Sequence, residues 1–137
     1  MRLYSMFKQK NSLPNSKINF FISDGYTQMR RCQTSFNVCG HIINSLLIQE
    51  NADDSVLRDL ENFFDNLVPQ NLDLYEHKSE GVDDMPAHIK ASLTSTHLSI
   101  PIRNKKIDLG TWQGIFLFEH RIQPHTREID IHIIGTH

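Results

Sequence analysis

Cysteine is almost missing from this chain: Cys32 and Cys39 are the only two among 137 residues. They are not in CxxC spacing, and no dense cysteine pattern surrounds them. That excludes a small disulfide scaffold and a thioredoxin-type redox motif. Both read as reduced thiols, and the expected compartment is the cytoplasm. Long hydrophobic runs are missing too. Nothing approaches the ~18 apolar residues of a membrane span, and the opening residues have no signal-peptide core. The net charge is only −2 with the histidines neutral, so no overall field draws in nucleic acid. Neither a GxxxxGKS/T nor a GxGxxG phosphate loop occurs, and no HExxH helix pair is present.

What charge there is lies unevenly. Residues 1–40 carry six basic groups against one acidic, Asp24, while the remainder carries eight basic against fifteen acidic. The plain reading is a basic arm that complements the acidic body or a neighbouring subunit, ahead of one that binds RNA or anionic lipid. A 15.9 kDa chain with 39% hydrophobic and 22% charged residues matches one soluble domain with a core of its own.

Hydrophobic periodicity orders that domain. Residues 1–17 are polar and look weakly structured, and Ile18 to Ile22 reads as a buried strand. Phe36 to Ile48, FNVCGHIINSLLI, reads as one strand with His41, Ile43, Ser45 and Leu47 on one face. The period then changes. Val56, Leu57, Leu60, Phe63, Phe64 and Leu67 form a helical stripe, with Asp53 or Asp54 to cap it and Pro69 to stop it. Residues 70–84 read as a loop. A short helix is expected from about Met85, capped by Asp84, with Pro86 in the first turn, where its missing N–H is harmless. From Leu98 the pattern is β: Leu98, Ile100 and Ile102 alternate, WQGIFLF is apolar on both faces, and Ile129, Ile131 and Ile133 alternate with polar residues. The expected fold is α+β, two helices on a mainly antiparallel sheet. Trp112, the only tryptophan, is expected in the core.

Candidate chemistry gathers between His77 and Gly114. The eight histidines include His41 beside the long helix, His77 in the polar loop and His88 in the first turn of the short helix. A helix N-terminus disfavours imidazolium, so His88 should tend towards the neutral form that binds metals. The spacings of the three alone are a weak metal signal. Asp83 and Asp84 are adjacent, so one can cap the helix while the other faces a pocket. Glu119 ends an apolar strand, where a carboxylate needs a partner, and Arg127 is the candidate. Lys90, Lys105, Lys106, Arg121 and Arg127 are possible anion binders, each more ordinary as a solvated surface charge.

Four segments carry a resemblance: His41 to Asp53 (HIINSLLIQENAD), His77 to Lys90 (HKSEGVDDMPAHIK), Ile100 to Arg121 (IPIRNKKIDLGTWQGIFLFEHR) and Arg127 to Gly135 (REIDIHIIG). In order and composition they resemble the YjbQ-like family, some of whose members are described as secondary thiamine-phosphate synthases. The resemblance implies a YjbQ-like sandwich over residues 41–137, preceded by residues 1–40 as a divergent segment of the same domain. It also implies a homotrimer with the site near a subunit contact. By the same resemblance His41, His77 and His88 are metal ligands for zinc or another divalent metal such as magnesium, and Glu50, Asp83, Asp84 and Arg127 are pocket residues. The synthase reaction joins a pyrimidine-methyl diphosphate to a thiazole phosphate. For it, Arg127 and Lys90 would bind the diphosphate, and Asp83 or Asp84 the pyrimidine amine or a magnesium ion.

The chain also departs from the family pattern. Ile42, Ile43 and Asn44 stand where the family has small hydroxyl-bearing residues, Lys105 replaces a turn glycine, and Glu128 follows Arg127 where a second basic residue is common. Residues 1–40 lack the family's usual opening. Two other readings therefore stand beside the synthase. One is a zinc-dependent hydrolase of a small phosphate or amide substrate, with Asp84 or Glu50 as base. The other is a non-catalytic trimeric interaction protein. Light scattering of the purified protein is expected to give three times the 15.9 kDa chain mass; a single-chain mass would remove the trimer.

Overall fold

The computed structural model describes residues 2–6, 18–23, 31–39, 43–104, 106–123 and 125–136. Two β-sheets and two α-helices account for most of them. In chain order the elements are β1 (Arg2–Ser5), β2 (Ile18–Ser23), β3 (Arg31–Cys39), β4 (Asn44–Glu50), α1 (Asp54–Leu67), α2 (Asp84–Leu93), β5 (His97–Arg103), β6 (Lys106–Ile107), β7 (Gln113–Glu119) and β8 (Arg127–Thr136), with a single 3₁₀ turn at Leu72–Leu74. The three-stranded sheet has the order β1-β7-β4 and the five-stranded sheet β2-β8-β3-β5-β6. Among the described residues every pairing is antiparallel except β2 with β8. The α+β expectation therefore holds, with two sheets where one was expected.

The centre is β7, and its sequence shows why. Successive strand residues point to opposite faces, so an unbroken apolar run needs cover on both sides. Ile115 and Leu117 point to one side and pack with Met6, Leu46, Ile100 and Ile129, which joins the two sheets. Phe116 and Phe118 point the other way and pack with Leu3, Leu47 and the stripe Leu57, Leu60 and Phe64 of α1. The layers run α1, three-stranded sheet, five-stranded sheet. Helix α1 starts where Asp53 accepts a hydrogen bond from the Ser55 backbone N–H at 2.7 Å, and stops at Val68 before Pro69. None of its residues is fully buried, as befits an outer layer.

Three expectations need correction. Phe36 to Ile48 is not one strand. β3 belongs to the five-stranded sheet and β4 to the other, and the apolar run conceals the change because hydropathy does not record a strand's partner. The opening residues are not all irregular: β1 pairs with β7 from Arg2↔Glu119 to Ser5↔Phe116. The first 40 residues thus supply strands to both sheets. Trp112 is 66% exposed rather than in the core. It sits in a turn closed by the Gly110 N–H donating to Gln113 Oε1 at 2.7 Å and fastened by the Asn51 N–H donating to the Trp112 carbonyl at 2.8 Å. The β5–β6 hairpin pairs Arg103 with Lys106, and Asn104 takes a positive φ of 51°.

Among the described residues no helix is long and apolar enough to cross a membrane. The side chains of Cys32 and Cys39 lie outside the description. Phe118→Ala, at the joint between β7 and α1, is expected to cost about 3–5 kcal/mol in chemical denaturation. A loss below ~1 kcal/mol would contradict this packing.

Candidate metal centre

The short helix is where the sequence pattern turns into a site. Gly81, at φ +115°, turns the chain so that Asp83 and Asp84 both face Arg121; a Cβ there would meet Asp83 Oδ1 at 3.2 Å. Asp83 occupies the cap position but makes no side-chain cap bond, and α2 begins at Asp84, one residue before the expected start. His88 is therefore one turn inside the helix, at i+4 from Asp84, on the same face. Asp84 and Ala87 lie on the buried stripe of α2, and His88 lies at its margin.

The loop after the 3₁₀ turn brings in His77. Its Nε2 lies 3.0 Å from Asp84 Oδ2, and His88 Nε2 lies 3.5 Å from the same oxygen. The two rings are 6.0 Å apart between centroids. One ligand atom from each of the three residues falls within 4.8 Å of the others. The carboxylate is 1% exposed, while the His77 and His88 side chains are 44% and 36% exposed. The cluster thus has a buried, charged floor and a solvent-facing side.

Asp84 Oδ2 is buried and accepts no hydrogen bond, despite the imidazole nitrogen 3.0 Å away. A buried carboxylate oxygen without a donor is costly. A cation removes that cost, because all three atoms then offer lone pairs to one point. Bonds of about 2.0–2.1 Å at tetrahedral angles put ligand atoms about 3.4 Å apart, close to the two oxygen–nitrogen separations of 3.0 and 3.5 Å. Two nitrogens and one oxygen suit zinc and its borderline neighbours and suit magnesium poorly.

Around the cluster the charges are tied down. Arg121 donates from Nη1 to Asp84 Oδ1, from Nε to Asp83 Oδ2 at 3.1 Å and from Nη2 to the Glu80 carbonyl at 3.0 Å. Asp83 Oδ2 also accepts from the Ile122 N–H at 2.8 Å. Burial works to raise the Asp83 carboxyl, but the Ile122 N–H and the Arg121 charge outweigh it and hold it below the ordinary carboxylate range.

Glu119 and Arg127 form the expected pair, both buried. Arg127 Nε donates to Oε2 at 2.6 Å and Nη2 to Oε1 at 2.7 Å. Lys90 is buried with its ammonium 2.8 Å from Asp65 of α1. The two cations expected to hold a diphosphate are thus engaged in ion pairs instead, because a charge in the interior needs its own counter-charge. Glu50 ends β4 at the opposite end from Asn44, about 20 Å along the strand, and is not brought to the cluster. His41 lies outside the described residues.

Two residues carry more than the sequence suggested. Arg121, 37 positions from Asp84, offered no local signal beyond its charge. Asp84 and His88 did offer one, because i and i+4 on a helix share a face. His120, not expected in any site, is 1% exposed, with Nε2 3.1 Å from Ser45 Oγ. Burial, assisted by the Lys90 and Arg127 charges, pushes its imidazole down to about 3.

The family described as UPF0047 protein YjbQ-like matches residues 27–136. The chain is 48% identical over 121 residues to UPF0047 protein sll1880 of Synechocystis, covering 88% of this chain and 80% of that one. It is 49% identical over 89 residues to UPF0047 protein YjbQ of Escherichia coli O157:H7, 65% of this chain and 64% of that one. Among solved structures, an uncharacterized conserved protein of the yjbq/upf0047 family from Clostridium acetobutylicum superposes with a TM-score of 0.63 at 33% identity, covering 77% of this chain and 75% of that one. The conserved hypothetical protein TT1486 of Thermus thermophilus gives 0.64 at 28% identity, covering 74% and 77%.

His120 generates a pH prediction. A folded pKa depressed below the unfolded value of about 6.5 leaves stability intact above that pH and removes it as pH falls towards the folded pKa. Between pH 7 and 5, in chelator, wild type is expected to lose about 2 kcal/mol more than His120→Leu. Parallel stability curves for the two proteins would contradict a buried neutral imidazole.

Proposed function

The chain belongs to the YjbQ-like UPF0047 family, and within it we propose that this protein is a divalent-metal-dependent hydrolase of a small substrate, with His77, Asp84 and His88 holding the cation. The observation that carries this reading is Asp84 Oδ2: buried, without a hydrogen bond, and faced by two imidazole nitrogens. Two imidazoles and a carboxylate form a donor set of catalytic zinc sites, which keep a further position open. The exposed side of His77 and His88 supports such an opening.

When bound, a divalent cation supplies Lewis acidity at a water or a substrate oxygen. The chain's own part is placement. His77 and His88 offer nitrogen donors, and Asp84 supplies the carboxylate oxygen that anchors the cation. Its other oxygen is bound by Arg121, so Asp84 acts as ligand rather than as the general base expected from the sequence. Glu50 is remote from the cluster. The synthase reaction asks Lys90 and Arg127 to grip a diphosphate, and both are engaged in buried ion pairs, so the hydrolytic reading stands ahead of it.

Metal analysis and a substrate panel test this together. Untagged wild type is expected to retain close to one zinc per chain, and His88→Ala to lose it. The panel contains small phosphate esters, small amides and the pyrimidine-methyl diphosphate with thiazole phosphate. Zinc-dependent release of phosphate or amine, abolished by chelator, supports the hydrolase. Formation of thiamine phosphate would restore the synthase. Less than ~0.2 zinc per chain, with no gain on adding zinc, would overturn the metal site.

A further inference from the structure

A carboxylate on a helix rotates about its side-chain torsions, and an unrestrained aspartate does not keep one oxygen aimed at two rings. Asp84 is restrained from one direction. Arg121, 13% exposed in its side chain, engages its Nη1 with Asp84 Oδ1 while Oδ2 faces His77 and His88. The guanidinium is itself fixed at two further points, the Asp83 carboxylate and the Glu80 carbonyl. Its main chain is fixed as well: the Arg121 N–H donates to Glu119 Oε1 at 3.0 Å, and the next N–H, of Ile122, reaches Asp83 Oδ2. All three guanidinium nitrogens are thus used in one plane.

We infer that Arg121 is the positioning residue of the metal site, turning Asp84 Oδ2 towards the imidazoles, and that Asp83 acts by anchoring Arg121; this rests on the metal reading above. A second role for Arg121 makes the opposite prediction. If it only neutralised the two aspartates, its removal would leave the site more negative and bind a cation more tightly. If it positions Asp84, its removal weakens binding even though the local charge becomes more favourable. Lysine keeps the charge but not the planar fork, so Arg121→Lys should fail to rescue.

Cobalt(II) titration followed by visible absorption tests the inference on wild type, Arg121→Lys, Arg121→Met and Asp83→Asn, with thermal melts of each metal-free protein. The expected result is about 10–100-fold weaker binding in both Arg121 variants, the scale typical when the group orienting a ligand is lost. A changed visible band should accompany it, and Asp83→Asn should move the same way. A change of fold stability alone alters neither the band nor the affinity of molecules that remain folded. Unchanged or tighter binding in Arg121→Met overturns the inference. If the Arg121 variants do not fold, Asp83→Asn, which keeps both shape and Arg121, decides: unchanged affinity there overturns it. Wild type that binds neither cobalt nor zinc removes the metal reading and this role together. Wild type that binds, with variants that bind equally well, removes only the role of Arg121.

Discussion

The buried pair of Glu119 and Arg127 holds the end of the sandwich on which the candidate site is built. Glu119 is the last residue of β7, in the three-stranded sheet, and Arg127 is the first of β8, in the five-stranded sheet. Two parallel, charge-assisted hydrogen bonds close the gap between the layers at this end. Removing one partner of such a pair typically costs about 3–5 kcal/mol, because the other charge stays buried. Glu119 does a second thing. By accepting from the Arg121 N–H it sets where the chain leaves β7, and so where the Arg121 side chain points. From there the order of dependence runs to Asp83 and Asp84, and then to His77 and His88.

The polar end and the apolar centre solve different problems. In the centre, β7 is covered by a sheet on one face and by α1 on the other, and apolar burial stabilises the layers without specifying any one atom's position. At the end, charged and polar groups are buried, so each must find a partner with defined geometry. Lys90 finds Asp65, Arg127 finds Glu119 and Arg121 finds both aspartates. Asp84 Oδ2 finds none. Asn44 Nδ2 and His120 Nδ1 at this end lack a hydrogen bond too; Asp84 Oδ2 differs from them in facing two ligand-type nitrogens, those of His77 and His88.

Much of the fold was legible in the chain. The α1 stripe, its Asp53 cap and its stop before Pro69 follow from local rules that act within one turn. The double-sided run in β7 announced cover on both faces. The Glu119–Arg127 pair was legible too, since a carboxylate at the end of an apolar strand must be compensated nearby. The division of Phe36 to Ile48 between two sheets was not legible, nor was the exposure of Trp112. An apolar pattern says that a face is covered, not by what, and a turn can hold an aromatic ring outward through backbone hydrogen bonds the pattern does not show.

For the site, the sequence by itself determined the family and the closeness of Asp84 and His88, because residues four apart on a helix share a face whatever surrounds it. Only the tertiary structure decided that His77 and His88 both face Asp84 Oδ2, that Arg121 grips both aspartates and that Lys90 and Arg127 are engaged elsewhere. The physical reason is one of range. Helix periodicity and caps act over a few residues and are written locally. The partner of a buried charge is chosen by whichever groups the folded chain brings within about 3 Å, and Asp84 and Arg121 stand 37 residues apart.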